Sequence, residues 1–214
     1  MTTGSSLKQS GRLAIVDYKA GNLTSVQLAL DTIGVTGTVT SDPDVIRNSG
    51  KVIFPGVGAA GAAMENLRRL GIDKALQDVV RCGKPLLGIC VGMQVLFDHS
   101  EEDGGTKMLG FIPGRVVRFA PKDRRDKVPQ IGWNSVEQKT DSSVFADIPN
   151  GSDFYFVHSY YPLPQNPEHV AAVTEYGNCT FASVIQYANI VASQFHPEKS
   201  GKFGLQLLAN FCNR

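Results

Sequence analysis

A cysteine set between two glycines, in Gly88-Ile89-Cys90-Val91-Gly92, is the strongest candidate for covalent chemistry in this 214-residue chain. It stands where the apolar run KPLLGICVGMQVLF, Lys84 to Phe97, stops reading as a strand and starts reading as a helix. GxCxG is the thiol counterpart of the GxSxG elbow, in which a nucleophile sits on a sharp strand-to-helix turn. The glycines keep side chains out of that turn, and a following helix aims free N–H groups and partial positive charge at the sulfur. Both effects favour the thiolate, starting from a free-cysteine pKa of about 8.5. Cys82 and Cys212 fall within helical periodicity and Cys179 in a turn before a strand, so these three read as structural.

A thiol nucleophile needs a proton partner, and four histidines are available. His196 ends an apolar strand in SQFHPEKS, where Pro197 biases it toward extended backbone and Glu198 follows two residues on. An imidazole whose tautomer is held by a carboxylate supplies the other two members of a triad. His158, in FYFVHSYY, is balanced between a functional role and a satisfied core position. His99 and His169 sit in polar contexts that read as loops and are assigned no role.

An acyl-transfer site also needs donors for a developing oxyanion. The N–H of Val91 directly follows the thiol, and Val57 and Gly58 in the PGVG turn are the second source. Gly56, Gly58 and Gly61 also spell GxGxxG, a dinucleotide fingerprint by pattern. That reading needs an acidic residue at the end of a strand roughly 20 positions on. Asp73 and Asp78 stand near that distance but fall in the helical pattern IDKALQDVV, so the turn reads as a donor loop.

The surrounding pattern supplies the elements such a site needs. RLAIVDY, GTVT, KVIFPG and KPLLGIC read as buried strands, and helices run from GNL through LALDTI, over AAMENLRRL and over IDKALQDVVRCG. Gly34 and Gly71 close two of these helices. Beyond Asp98 the chain turns β-rich, with FYFVHSYY as one strand and a hairpin FASVIQYANIVASQF turned at Tyr187 to Asn189 before a last helix, FGLQLLANF. The expectation is an α/β chain with a mixed, mostly parallel central sheet flanked by helices and a flavodoxin-like core. A polar tail over residues 1–11 precedes a single domain over 12–214. In such sheets ligands bind beyond the carboxyl ends of the strands, where both Cys90 and the PGVG turn lie.

Composition narrows the partners. Twenty-one basic against 20 acidic residues give a net charge of +1, which offers no bulk attraction for nucleic acid. The four cysteines form no CxxC pair, arguing against zinc or a disulfide framework and for a reducing, cytoplasmic setting. No apolar run is long enough to span a membrane, and neither metal nor cofactor is called for.

GICVGMQ, PGVG and HPE, in this order, resemble the class I, triad-type glutamine amidotransferases. DYxxGNL at Asp17 to Leu23, IGWN at Ile131 to Asn134 and YFVHSYY at Tyr155 to Tyr161 are similar to the glutaminase subunits of imidazole glycerol phosphate synthases. The resemblance implies that Cys90 attacks the carboxamide of glutamine, that His196 moves the protons and that Glu198 orients His196. It implies substrate contacts from Gly58, Gln94, His158, Ser159 and Tyr160. It also implies a (β/α)8 cyclase partner that takes up the ammonia, with Trp133, Asn134, Tyr155 and Lys199 on the facing surface, and a turning peptide in the PGVG loop. Gln130 stands where this family often has histidine, and Val91 where leucine is common. Other readings are a glutaminase serving a different synthase, a stand-alone cysteine hydrolase of γ-glutamyl bonds, and a scaffold without catalysis.

Overall fold

The computed structural model describes residues 12–123 and 125–213, so the expected tail over residues 1–11 lies outside them. The first half alternates strand and helix: β1 (Leu13–Val16), α1 (Leu23–Thr32), β2 (Gly37–Thr40), α2 (Pro43–Asn48), β3 (Lys51–Gly56), α3 (Ala60–Leu70), α4 (Ile72–Arg81) and β4 (Leu86–Cys90). A single turn α5 (Val91–Gln94) follows. The β-rich part holds β5 (Phe97–Ser100), β6 (Thr106–Lys107), β7 (Ile112–Arg118), β8 (Gln130–Gln138), β9 (Ser152–His158), β10 (Tyr160–Pro164), β11 (Val170–Tyr176), β12 (Cys179–Tyr187) and β13 (Ile190–Ser193). Helix α6 (Gly201–Cys212) ends it.

Among the described residues, nine strands form one mixed sheet in the order β2-β1-β3-β4-β13-β12-β11-β8-β9. The five from β2 to β13 run parallel, in the doubly wound order that leaves a crevice at their carboxyl ends. From β13 onward every pairing among the described residues of this sheet is antiparallel, which extends it beyond the parallel half. Continuous apolar runs explain the parallel part: all residues of β1, β4 and β13 are buried. Helices α1 and α6 pack together, as do α2, α3 and α4.

Two local readings change, and one segment without an expected form is helical. FYFVHSYY is two strands, because the chain leaves β8 at His158 and takes up a new antiparallel pairing with β7 from Tyr160, in a separate four-stranded sheet. His99 lies within β5, paired with Lys107 and Arg115, because α5 stops after one turn and the chain takes up strand pairing from Phe97. The segment after β2 is helical: Asp42 accepts from the Asp44 N–H at 2.8 Å and Pro43 takes the first helical position, an N-terminal signal visible in the sequence.

Candidate active site

Cys90 is the last residue of β4, with φ 54° and ψ −110°, a conformation that L-residues rarely hold. The turn is held by close approach rather than by space. A Cβ on Gly92 would stand 1.9 Å from the Phe54 carbonyl oxygen of β3, so the elbow packs directly on the neighbouring strand only because that residue is glycine. The element that follows is shorter than expected. With four residues in α5, the positive field at the sulfur comes from local N–H groups, Val91's first among them, rather than from a long macrodipole.

His196 and Glu198 reach the same edge from the far side of β4. Beyond β13 the backbone of His196 is extended, as Pro197 requires, and its N–H donates to Tyr155 O at 2.9 Å. Pro197 then opens a 3-10 turn, Pro197–Lys199, which swings Glu198 back so that its Oε1 lies 2.7 Å from His196 Nδ1. The two side chains are 3% and 2% exposed. Burial opposes a charge on His196, but the neighbouring Cys90 and Glu198 outweigh it and hold the imidazole up at about 10. Among the described residues its Nε2 has no hydrogen-bond partner, and the ring lines the pocket that Cys90 also lines.

That pocket, of about 320 Å³, is lined by Val57, Gly58, Val91, Ser159 and Tyr160 together with the groups that follow. Gln94 is buried and donates through Nε2 to Tyr160 O at 2.8 Å. The Nδ1–H of His158 donates to the same carbonyl at 2.8 Å, leaving its Nε2 as a bare acceptor. Burial against the rings of Phe119, Phe156 and Phe181 pushes His158 down to about 4, against the pull of the Tyr160 carbonyl, so it is neutral at pH 7. Gly58 takes φ +88° with nothing within 4 Å of a Cβ, so backbone conformation rather than room demands glycine there.

The two histidines give stability opposite pH slopes. His158, depressed, contributes stability that is present above about 6.5 and lost as pH falls toward about 4. His196, raised, contributes stability present below about 6.5 and lost as pH rises through about 10. Denaturant unfolding across pH 4 to 10 is expected to show a maximum between these limbs, and His158→Phe is expected to flatten the acid one.

Three site groups were missed in the sequence. Glu102 lines the pocket from the loop after β5, its Oε2 accepting from the Ala60 N–H at 2.7 Å, and burial pushes its carboxyl up; nothing in EEDGG distinguishes it. Tyr18, fully buried after β1, directs its hydroxyl at Val57 O at 3.5 Å, and burial pushes its pKa up. Gln194, fully buried, places Nε2 3.7 Å from Cys90 Sγ. A lone amide inside the apolar run VASQF was its available signal.

Asp73 and Asp78 lie in α4, and Asp78 pairs with Arg47 and Arg81, so neither stands at a strand end as a dinucleotide site requires. Trp133 is 55% and Ile131 62% exposed, on the same face of β8, and the Trp133 ring meets Tyr155 of β9 edge-on at 6.0 Å. Asn134 Oδ1 accepts from Gln130 Nε2 at 2.7 Å, and Lys199 is exposed. Gln130 itself is fully buried, so the glutamine at this position acts through Asn134 rather than as a surface group.

A family profile described as Glutamine amidotransferase class-I matches residues 14–214. The chain is 48% identical over 199 residues to imidazole glycerol phosphate synthase subunit HisH of Dehalococcoides mccartyi strain CBDB1, covering 93% of this chain and 95% of that protein. It is 49% identical over 197 residues to the subunit HisH of Chlorobaculum tepidum, covering 92% and 97%. Among solved structures, one titled as PurLQS from Thermotoga maritima superposes with TM-score 0.72 at 16% identity, covering 94% of this chain and 97% of that one, a likeness of fold. With residues 14–214 matched and near-half identity over more than nine-tenths of its length, the chain belongs to the class I glutamine amidotransferases and, within them, to the family of imidazole glycerol phosphate synthase subunit HisH.

Proposed function

We propose that this chain hydrolyses glutamine with Cys90 as nucleophile and passes the ammonia to a cyclase subunit of imidazole glycerol phosphate synthase. One observation carries the reading: a buried imidazole, backed by Glu198 at 2.7 Å, opens an unpartnered Nε2 onto the pocket that holds the strained Cys90.

Cys90 Sγ adds to the side-chain carbonyl carbon of glutamine, and the oxygen gains negative charge against the Val91 N–H and the Val57–Gly58 backbone. Charged His196 gives its Nε2 proton to the departing nitrogen, so ammonia leaves and a thioester remains. Neutral His196 then takes a proton from water, the resulting hydroxide opens the thioester, and glutamate is released with the thiol restored. Glu198 fixes the Nδ1–H tautomer throughout. Gln94, His158, Ser159 and Tyr160 hold the amino-acid end, and Glu102 offers a carboxylate to its ammonium.

The partner is a (β/α)8 cyclase that docks on the surface carrying Trp133, Asn134, Tyr155 and Lys199. Exposed Ile131 and Trp133 support this placing, because large apolar side chains of this kind are enriched in interface cores. No helix among the described residues is long and apolar enough to cross a membrane, in keeping with a cytoplasmic pair. The test is glutamate release by the purified chain, alone and with the cyclase and its ribotide ligand. A large rise on adding both supports the reading, and full activity of the chain alone replaces it with an independent hydrolase.

Glu198→Gln is expected to cut turnover about a hundredfold, less than loss of His196, because geometry partly replaces an orienting group. Glu198 is one of the groups that hold His196 up. The alkaline limb of the kcat/KM profile is therefore expected to move to lower pH in this variant, which a pH series on both proteins checks.

A further inference from the structure

The residue two before His196 is an amide with no exposed surface, placed beside the thiol by strand register. β13 runs parallel to β4 with Ser193 beside Ile89, so Gln194 continues alongside Cys90, its backbone N–H anchored to Ser183 O at 2.9 Å. Its side chain joins two groups of the pocket. Oε1 accepts from Gln94 Nε2 at 3.1 Å, and Nε2 approaches Cys90 Sγ at 3.7 Å.

Which end of this amide faces the sulfur is decided by the bonds behind it. A backbone carbonyl only accepts, so the Gln94 group 2.8 Å from Tyr160 O is its NH2. That same NH2 faces Gln194, so the Gln194 atom meeting it is the oxygen and the atom left for Cys90 is the donor. His158 Nδ1–H on the same carbonyl adds a second donor pointing the same way. Both hydrogens of the Gln94 NH2 are thereby committed, and its Oε1 is the atom offered to a substrate.

A donor aimed at sulfur favours the thiolate over the thiol, because hydrogen bonds to the charged form are the stronger ones. We propose that Gln194 is a further catalytic residue: its carboxamide donates to the Cys90 sulfur, stabilises the thiolate, and holds Gln94 in its substrate-binding orientation. The assignment rests on Cys90 being the nucleophile. His196 with Glu198 behind it, His158 from β9, Tyr18 from β1 and Glu102 from the loop after β5 are the other titratable groups around that thiol.

The test is the pH dependence of iodoacetamide alkylation at Cys90, read by peptide mass mapping so that Cys82, Cys179 and Cys212 do not contribute. Gln194→Met keeps the length of the side chain and removes the donor. Its apparent Cys90 pKa is expected to rise by about one unit, with alkylation about tenfold slower at pH values below it. Glutamine turnover is expected to fall about tenfold at neutral pH and to recover as pH rises. An unmoved alkylation profile in a folded Gln194→Met overturns the proposal. A second measurement needs no core substitution: in the wild-type chain the Gln194 side-chain amide resonance should follow the Cys90 titration, and in Cys90→Ala it should not. An amide that ignores the titration is equally fatal. Retained glutamine hydrolysis in Cys90→Ala would instead overturn the nucleophile reading, and the alkylation shift would still decide whether Gln194 acts on the sulfur.

Discussion

Replacing Cys90 with alanine is expected to lower partner-stimulated glutamine hydrolysis on the order of 10⁶-fold, the scale on which a triad fails with its nucleophile. The substitution is conservative for the fold. Cys90 is buried, and its sulfur makes weak contacts to Val157 O at 3.9 Å and from Gln194 at 3.7 Å. Alanine carries the same Cβ as cysteine, so the strained elbow backbone is asked of both residues alike. The thermal midpoint and cyclase binding are therefore expected to stay near wild type while activity disappears. Residual turnover above about a thousandth of wild type would place the nucleophile elsewhere.

The second large effect is expected from His196→Ala, a loss of about 10⁴-fold in kcat, at the upper end of what a positioned acid and base contributes. His158 cannot take over. Its Nδ1–H is tied to Tyr160 O, and burial keeps the ring neutral down to about 4, so it has no proton to give a leaving amine at pH 7. His196 is charged up to about 10 and faces the thiol with a free Nε2. Adding Cys90→Ala to this variant is expected to cost little beyond Cys90→Ala alone, since groups that act as one unit are not additive. Steady-state rates for the two single variants and the double variant check this, and multiplicative losses would mean that the residues work independently.

What the sequence disclosed follows from how local each feature is. The elbow was legible because the strand, Gly88, Cys90 and Gly92 fall within one short stretch of chain, and the packing of Gly92 on Phe54 explains why a glycine is needed there. The buried strands β1, β4 and β13 announced themselves as unbroken apolar runs, and the β12–β13 hairpin formed where its turn was expected. His196 and Glu198 lie two apart, and the proline between them both extends one and turns the other. The amide chain from Tyr160 through Gln94 to Gln194 joins residues 66 and 100 positions apart, and no periodicity encodes such contacts. The break at Ser159 was hidden for a related reason. FYFVHSYY has strand composition throughout, and only the competing pairing with β7 divides it between two sheets.

The most direct test of the account is labelling with a glutamine-shaped diazoketone, which alkylates a nucleophile seated at the substrate's side-chain carbon. The chain is incubated with the reagent in the presence of its cyclase and the ribotide ligand, then read by intact mass and peptide mapping. A single adduct on Cys90, formed in step with loss of glutaminase activity and blocked by glutamine, is the predicted result. Full inactivation with the adduct on another residue, or an unlabelled Cys90 in a turning-over complex, would contradict it.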